Sequence, residues 1–530
     1  WVAAFAALSV AAGLVLLTQR PAGIVVPPLA TRLTLPPRVA WFYVHQFLWP
    51  AELVPIYPRW PLHGFGASDA LAWLAVGAVV AGAAVAWRRI PRAVLFGAAF
   101  FVANLSLVAG ITWFSYYDYS LVADHFAYLP SLGLAFATLG WLATPTVAGR
   151  GPLVTAATVV LGVACVALGV RTFTQVPAWN DTQTLWKFTL ARNPTCYQCE
   201  YNLALDLEEH GDAEHAASHY ERALDLHPDA EAAINLGNIR VSQGRNDDAQ
   251  ALYRRAVELD PANPVGHYNL AMMLAAQGDL DGAVREDSAA IAIVPRHVGA
   301  RLARGDALLR LDRAADAEKD FQAVLTTSPE DPDALTGLGR AAVARAAWPA
   351  ALTSFEKALR RSPRADVHRM VAEVLEQLGR EDDAVAHYRA AYEAEPGNAD
   401  GATSLVTALL TSGRVAEAVA LLQRRVADTP EEPAFATSLA WIEATARDAQ
   451  WRNAAEAVRL AERACPADDC DDPDRLDTLA AAYAEAGRFD DAIRAAERAV
   501  TAARGTEDGA DAMEERLALY RARQPYRSPW

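Results

Sequence analysis

The sequence predicts an all-α chain: about five membrane-crossing helices in the first third, then a superhelical solenoid of about nine helix pairs. Three observations predict it: an uneven distribution of charge, apolar runs long enough to span a bilayer, and self-similarity over most of the remainder. The 530 residues are too many for one hydrophobic core. Residues 1–176 hold nine Arg, no Lys and four acids, a charge of +5, so the net −16 leaves −21 for the rest. An acidic back half argues against nucleic acid as the partner, because phosphate binding needs a basic face.

A spanning helix needs about 20 apolar residues. Segments near 1–18, 69–87, 93–112, 127–143 and 152–171 meet that test. The first begins at Trp1 and has no basic stretch before it, so a truncated membrane helix is expected rather than a signal peptide, and the chain is expected to be the C-terminal part of a longer protein. Arg88, Arg89 and Arg92 fall in one short loop, and Arg150 lies in another on the same side. The excess of arginine puts those loops in the cytoplasm and everything after the fifth helix outside it. The expected location is therefore a bacterial inner membrane with an extracytoplasmic solenoid. Segment 39–60 is aromatic and interrupted by Pro50, Pro55 and Pro58, which suits an interfacial piece. Residues 177–194, with Trp179, Leu185, Trp186 and Phe188, read as a juxtamembrane helix or as an apolar cap on the first repeat.

The repeat shows in three kinds of residue. A small residue, an aromatic four positions later and a terminating proline recur as Ala216, Tyr220, Pro228; Ala249, Tyr253, Pro261; Ala317, Phe321, Pro329; Ala351, Phe355, Pro363; and Ala384, Tyr388, Pro396. Ala283 with Pro295, and Ala418 with Pro430, keep the register without the aromatic. Gly211, Gly244, Gly278, Gly379, Gly413 and Gly487 mark the turns within pairs. Small residues let antiparallel helices approach, the aromatic fills the gap to the next pair, and proline ends the second helix. This pattern resembles the tetratricopeptide repeat over residues 195–503, with 504–530 as a capping helix and tail.

A second resemblance lies upstream. Ala123-Asp124-His125-Phe126-Ala127-Tyr128-Leu129-Pro130, Phe47-Leu48-Trp49-Pro50 and Trp179-Asn180-Asp181 are similar to motifs of transmembrane, repeat-bearing protein O-mannosyltransferases. That resemblance implies a membrane glycosyltransferase parent that uses a polyprenyl-phosphate sugar. It transfers no catalytic residue: His125 stands where the family carries Arg, and the family's catalytic acid lies in a first loop upstream of this chain. No catalytic site is recognisable here, and no resident cofactor or metal is expected.

Several residues are candidate sites. Asp124, His125, Tyr128 and Arg59 could contact a lipid phosphate or sugar, Arg59 and Arg38 as bidentate donors; the plain alternatives are a helix cap at Asp124, a solvated His125 and snorkelling arginines. Cys196 with Cys199, and Cys465 with Cys470, are close pairs in a segment expected outside the cytoplasm, so two disulfides are expected. Asn202, Asn235 and Asn269 recur at one repeat spacing on the first helix of each pair. An amide both donates to and accepts from a peptide backbone, so this ladder is expected to bind an extended polypeptide. Its equivalents in the next three repeats, Ala303, Gly337 and Met370, cannot do the same. The function read from the sequence is a membrane-anchored binder of protein or peptide, the acceptor-binding part of a glycosyltransferase; the alternative is a non-catalytic membrane scaffold.

Overall fold

In a computed structural model of the chain, the described residues are 26–50, 53–110, 115–118, 120–144, 151–466, 470–503 and 510–528, and their regular structure is entirely helical. They group into two compact units that divide between Leu270 and Ala271.

After the one-turn helix Leu29–Arg32, helix Leu35–Leu48 buries Leu35, Val39 and Tyr43 on one face. Those side chains share a core with Phe101, Leu105, Tyr117 and Leu121. Segment 39–60 thus begins within this packed helix, and its described residues after Trp49 have no regular structure. Carbonyls of that stretch are tied down from afar: Leu53 by Gln175 Nε2 at 2.9 Å, Pro55 by the Tyr116 hydroxyl at 3.0 Å, and Ile56 by Asn193 Nδ2 at 3.2 Å.

Two helices, not five, have the length and apolarity to cross a membrane among the described residues: Ala67–Ala86 and Thr155–Trp179, each with a mean hydropathy of 1.9. Almost nothing of either is covered by protein, so Leu71, Leu74, Val79, Val85, Val163, Val166 and Phe173 stand exposed. The run at 1–18 lies outside the described residues. The run at 93–112 forms only Arg92–Leu105, because the backbone passes into a 3-10 turn at Ser106–Val108 and then to Gly110 at φ +83°. The run at 127–143 forms only Tyr128–Leu142. At 1.5 Å per residue, helices of 14 and 15 residues reach about 21–23 Å, short of a hydrocarbon core of about 30 Å. These two pack on each other antiparallel. Gly97 lies against the Gly133 backbone and Ala137, and Gly140 lies against Ala93, so a Cβ on any of these glycines has no room. Such small-residue seams let helix backbones touch.

After the 3-10 turn Val176–Trp179 and helix Thr182–Leu190, nine helix pairs follow among the described residues, from Tyr197–Glu209 with Ala213–Leu226 to Pro473–Glu485 with Phe489–Ala503. Trp186 and Leu190 pack on Cys196, Cys199 and Ile56, so the 177–194 segment serves as the cap of the first pair. The repeat residues take the expected roles. Ala216, Ala249, Ala317, Ala351, Ala384 and Ala418 are fully buried. The Tyr253, Phe321 and Phe355 rings lie flat on Gly237, Gly305 and Gly339 of their own pairs, where no larger residue fits. Helix Ala510–Arg521 closes the second unit by burying Met513, Leu517 and Tyr520, so it faces the core on one side and not solvent alone.

All six turn glycines read from the sequence have positive φ, between 68° and 86°. The same turn in the fourth and fifth pairs is made by Asp312 at φ 58° and Ala346 at φ 55°. A Cβ in that region costs about 1 kcal/mol, less for Asp, whose side chain tolerates it. Ala346→Gly is therefore expected to stabilise the second unit by about 1 kcal/mol in chemical denaturation. An unchanged midpoint would show that the turn is not strained.

Candidate functional site

In the first unit, Asn202, Asn235 and Asn269 lie half-buried on helices Tyr197–Glu209, Ala230–Ser242 and Pro264–Ala276. Their amides belong to a network. Asn235 Nδ2 donates to the Tyr220 and Tyr201 hydroxyls at 3.3 and 3.5 Å. Asn269 Nδ2 donates to Asn238 Oδ1 at 3.2 Å, and the Tyr253 hydroxyl donates to the same oxygen at 2.8 Å. Gln198 Nε2 donates to Asn202 Oδ1 at 3.4 Å. Asn238 was not singled out from the sequence, although its place three residues after Asn235 puts it on the same helix face. Tyrosine hydroxyls orient the Asn235 and Asn238 amides, and each amide keeps hydrogen-bonding capacity to spare.

In the second unit, the first helices of the fourth to sixth pairs line a cavity of about 550 Å³. Arg310 and Arg340 border it with Trp348, Met370, Glu373 and Glu376. Of the ladder-equivalent positions, Met370 lines this cavity, whereas Gly337 lies under the Phe321 ring. The groove here is apolar with charged edges rather than amide-lined. Burial, and the neighbouring Glu376, push the Glu373 carboxyl above its ordinary value.

Further along the second unit the chain lays its own residues 526–528 across the first helices of the last two pairs. The Ser528 amide donates to the Thr445 carbonyl at 2.9 Å, and the two hydroxyls are 2.8 Å apart. Arg527 pairs with Glu485 at 2.7 Å. The Tyr526 ring lies 5.9 Å from Trp441, and the Arg516 guanidinium sits over both rings. Trp441 is the ninth residue of its helix, and Thr445 and Glu485 are the thirteenth of theirs. Arg340 and Glu373, Arg310 and Gln377 occupy those same positions in the cavity of the fourth to sixth pairs. The positions that hold residues 526–528 at one place thus border the cavity at the other, where Arg340 pairs with Asp306 at 2.7 Å and Arg310 donates to the Ala275 carbonyl at 3.1 Å.

A further cavity, about 420 Å³, lies in the first unit. Asp124, His125 and Tyr128 line it together with Tyr43, Gln46 and Gln175; Arg59 is not among its lining residues. Asp124 is not a helix cap. Its Oδ1 accepts from the Tyr57 hydroxyl at 2.6 Å, and that hydroxyl accepts from Gln46 Nε2 at 2.8 Å. The Tyr43 hydroxyl both donates to the Ala123 carbonyl and accepts from the Ala123 amide, which fixes the backbone beside Asp124. Burial pushes the Asp124 carboxyl up to about 6, although the Tyr57 hydrogen bond opposes the shift. A carboxyl poised there exchanges a proton close to neutral pH. Arg38 lies over the Trp60 ring at 5.0 Å and so serves the packing of that segment.

The Cys196–Cys199 sulfurs are joined at 2.00 Å and the Cys465–Cys470 sulfurs at 1.91 Å, while Cys165 is free and exposed. The first pair sits at the head of the first repeat, under Trp186.

Comparison with known proteins bears on the repeats. Models of the tetratricopeptide repeat match residues 201–264, 234–297, 285–334, 302–363, 336–399 and 375–442. DnaJ homolog subfamily C member 3 of Rattus norvegicus is 31% identical over 136 residues, 25% of this chain and 27% of that protein. The TPR repeat-containing thioredoxin TTL4 of Arabidopsis thaliana is 34% identical over 116 residues, 22% of this chain and 16% of that protein. The chain thus matches about a quarter or less of the length of these relatives. Among solved structures, a tetratricopeptide repeat protein from Parabacteroides merdae is 19% identical with a TM-score of 0.37, covering 43% of this chain and 91% of that one. YrrB, a TPR protein with an unusual peptide-binding site, is 22% identical with a TM-score of 0.33, covering 34% of this chain and 94% of that one. Residues 201–442 of this chain are, on the matched models and on the helix-pair register together, a run of tetratricopeptide repeats.

Proposed function

We propose that the chain is a membrane-anchored protein whose repeats bind extended peptide segments, and that it forms the acceptor-binding portion of a protein glycosyltransferase that draws on a lipid-linked sugar. The observation that carries the peptide reading is the seating of Tyr526, Arg527 and Ser528 across the first helices of the last two pairs. A backbone amide is what any extended peptide offers, the guanidinium and the ring are side chains particular to this segment, and the positions bordering the cavity of the fourth to sixth pairs repeat that register. Membrane anchoring is supported by the two exposed apolar helices: surface of that kind needs lipid or protein to cover it. The transferase reading is supported by the cavity around Asp124, which stands on the motif resembling the O-mannosyltransferases. The arginine-rich loop at residues 88–92 favours an extracytoplasmic solenoid.

The test uses the chain lacking residues 522–530 and a labelled peptide of that nine-residue sequence. The peptide is expected to bind the shortened chain and not the full one, and Glu485→Gln with Trp441→Ala should abolish the binding. Absence of binding to the shortened chain overturns the peptide reading. Photolabelling of membranes with a polyprenyl-phosphate probe separates the two membrane roles: a pure scaffold leaves the chain unlabelled, and a transferase portion is labelled unless Asp124→Asn is present.

A further inference from the structure

In helix pairs of this solenoid, the fourth residue of the first helix faces a residue 19 positions later on the second. In the first pair this is Glu200 against His219, with Oε2 to Nδ1 at 2.5 Å. In the fourth it is Arg301 against Asp320, at 3.1 Å. Both juxtapose groups of opposite charge. In the sixth pair the same register holds two imidazoles, His368 on Ala365–Gln377 and His387 on Glu381–Ala394. Their Nδ1 atoms are 3.0 Å apart, with ring centroids at 5.2 Å.

Two imidazoles cannot form an ion pair. Burial holds both below the ordinary histidine range, and for His387 the neighbouring His368 lowers it further. A neutral imidazole offers the lone pair of one ring nitrogen, which is what a metal ion takes. The charged groups facing His387 are the Glu356 and Asp383 carboxylates and the Arg380 guanidinium. Arg380 is held by Asp383 through Nε at 2.8 Å, which leaves Glu356, on the preceding pair, as the excess charge beside the rings. Both rings are only half-buried, so an ion can reach them.

We propose that His368 and His387 form a bidentate site for a divalent late-transition-metal ion, copper(II) or nickel(II). At a metal–nitrogen distance of about 2.0–2.1 Å, two nitrogens 3.0 Å apart subtend about 95° at the metal. That is the cis angle of a tetragonal site, which copper(II) and nickel(II) favour, and it is narrower than the tetrahedral angle that zinc prefers. The ring whose Nδ1 carries the shared proton moves it to Nε2, so binding requires no net proton release. No group of three or more metal-ligating side chains occurs among the described residues, so water or a bound partner supplies the other positions. The bound ion would pin the two helices of the sixth pair, whose first helix also carries Met370, Glu373 and Glu376 of the cavity.

The experiment is calorimetric titration of the metal-free full chain with copper(II) and nickel(II), with electron paramagnetic resonance at one equivalent of copper. One ion per chain is expected at this site, with two nitrogen couplings and a rise in Tm. His368→Ala and His387→Ala should each weaken that binding tenfold or more and remove one nitrogen coupling and the metal-induced rise in Tm. His368→Gln with His387→Gln controls for packing: it should fold with an unchanged metal-free Tm and bind no ion here. Binding unaffected by either alanine substitution, or a copper spectrum without imidazole nitrogen, would overturn the proposal.

Discussion

Asp320→Ala is expected to destabilise the second unit by about 3–5 kcal/mol, the scale on which a buried ion pair fails when one partner is removed. Asp320 is 2% exposed. Its Oδ1 accepts from Arg301 Nη1 at 3.1 Å and from Arg304 Nη2 at 2.6 Å, and its Oδ2 accepts from Arg304 Nε at 2.8 Å. Arg304 also donates through Nη1 to Ser288 Oγ at 2.9 Å, which joins the third pair to the fourth. Removing the carboxylate leaves two guanidiniums facing each other and the donors aimed at Asp320 unmet, although Arg301 keeps the Pro295 carbonyl and Arg304 keeps Ser288. Stacked repeats couple only to their neighbours, so the loss should appear as early melting of the third to fifth pairs. Hydrogen exchange resolved along the chain measures this directly. Uniform protection across the second unit after the substitution would show that the three side chains are solvated rather than coupled. Asp320→Asn keeps the shape and one acceptor, and should lose less.

The second large effect depends on pH and centres on Asp287. This residue stands where other pairs carry an aromatic, four positions after Ala283. It is 1% exposed, and its Oδ1 has no hydrogen-bond partner among the described residues. Burial raises its carboxyl to about 8; Arg304 opposes the shift, and Asp320 and Glu286 add to it. In the unfolded chain the same group titrates near 3.8. The folded state therefore binds the proton more tightly, and this stabilisation is complete below pH 4 and lost as pH rises through about 8. Glu443, raised to about 7 by burial, acts with the same sign. The second unit should thus be more stable at pH 6 than at pH 9, by on the order of a few kcal/mol, and melt at a higher temperature at pH 6. Asp287→Asn and Asp287→Leu should each remove most of that slope, because neither carries the buried carboxyl. A slope that survives both substitutions would assign it to other carboxyls.

Much of the repeat architecture is legible in the sequence because it depends on local chemistry. Gly211, Gly244, Gly278, Gly379, Gly413 and Gly487 mark turns that only a left-handed residue can make, and every one of them has positive φ. Proline ends the second helices, and alanine marks the close contacts. The register even extends to Asp312 and Ala346, which a search for glycine passes over. The membrane segment was less legible. Hydropathy measures composition along the chain and not where the helix stops. A 3-10 turn and Gly110 end one run early, and the other pairs with it through Gly97, Gly133 and Gly140.

What the sequence by itself determined about this protein is the set of short-range features: period, turns, helix boundaries in the solenoid, apolar runs, and cysteine pairs three and five residues apart. What only the tertiary structure decided is which distant polar groups meet. Tyr57 reaches Asp124 across 67 positions, and Ser528 reaches Thr445 across 83. His368 meets His387, and Asp287 is closed off from water. The physical reason is that repeat periodicity reports the apolar surface each helix must bury, which is non-directional and tolerant of substitution. A hydrogen bond, an ion pair or a pair of metal ligands is directional to within a few tenths of an ångström. That precision comes from how the helices are stacked, and no spacing along the chain records it.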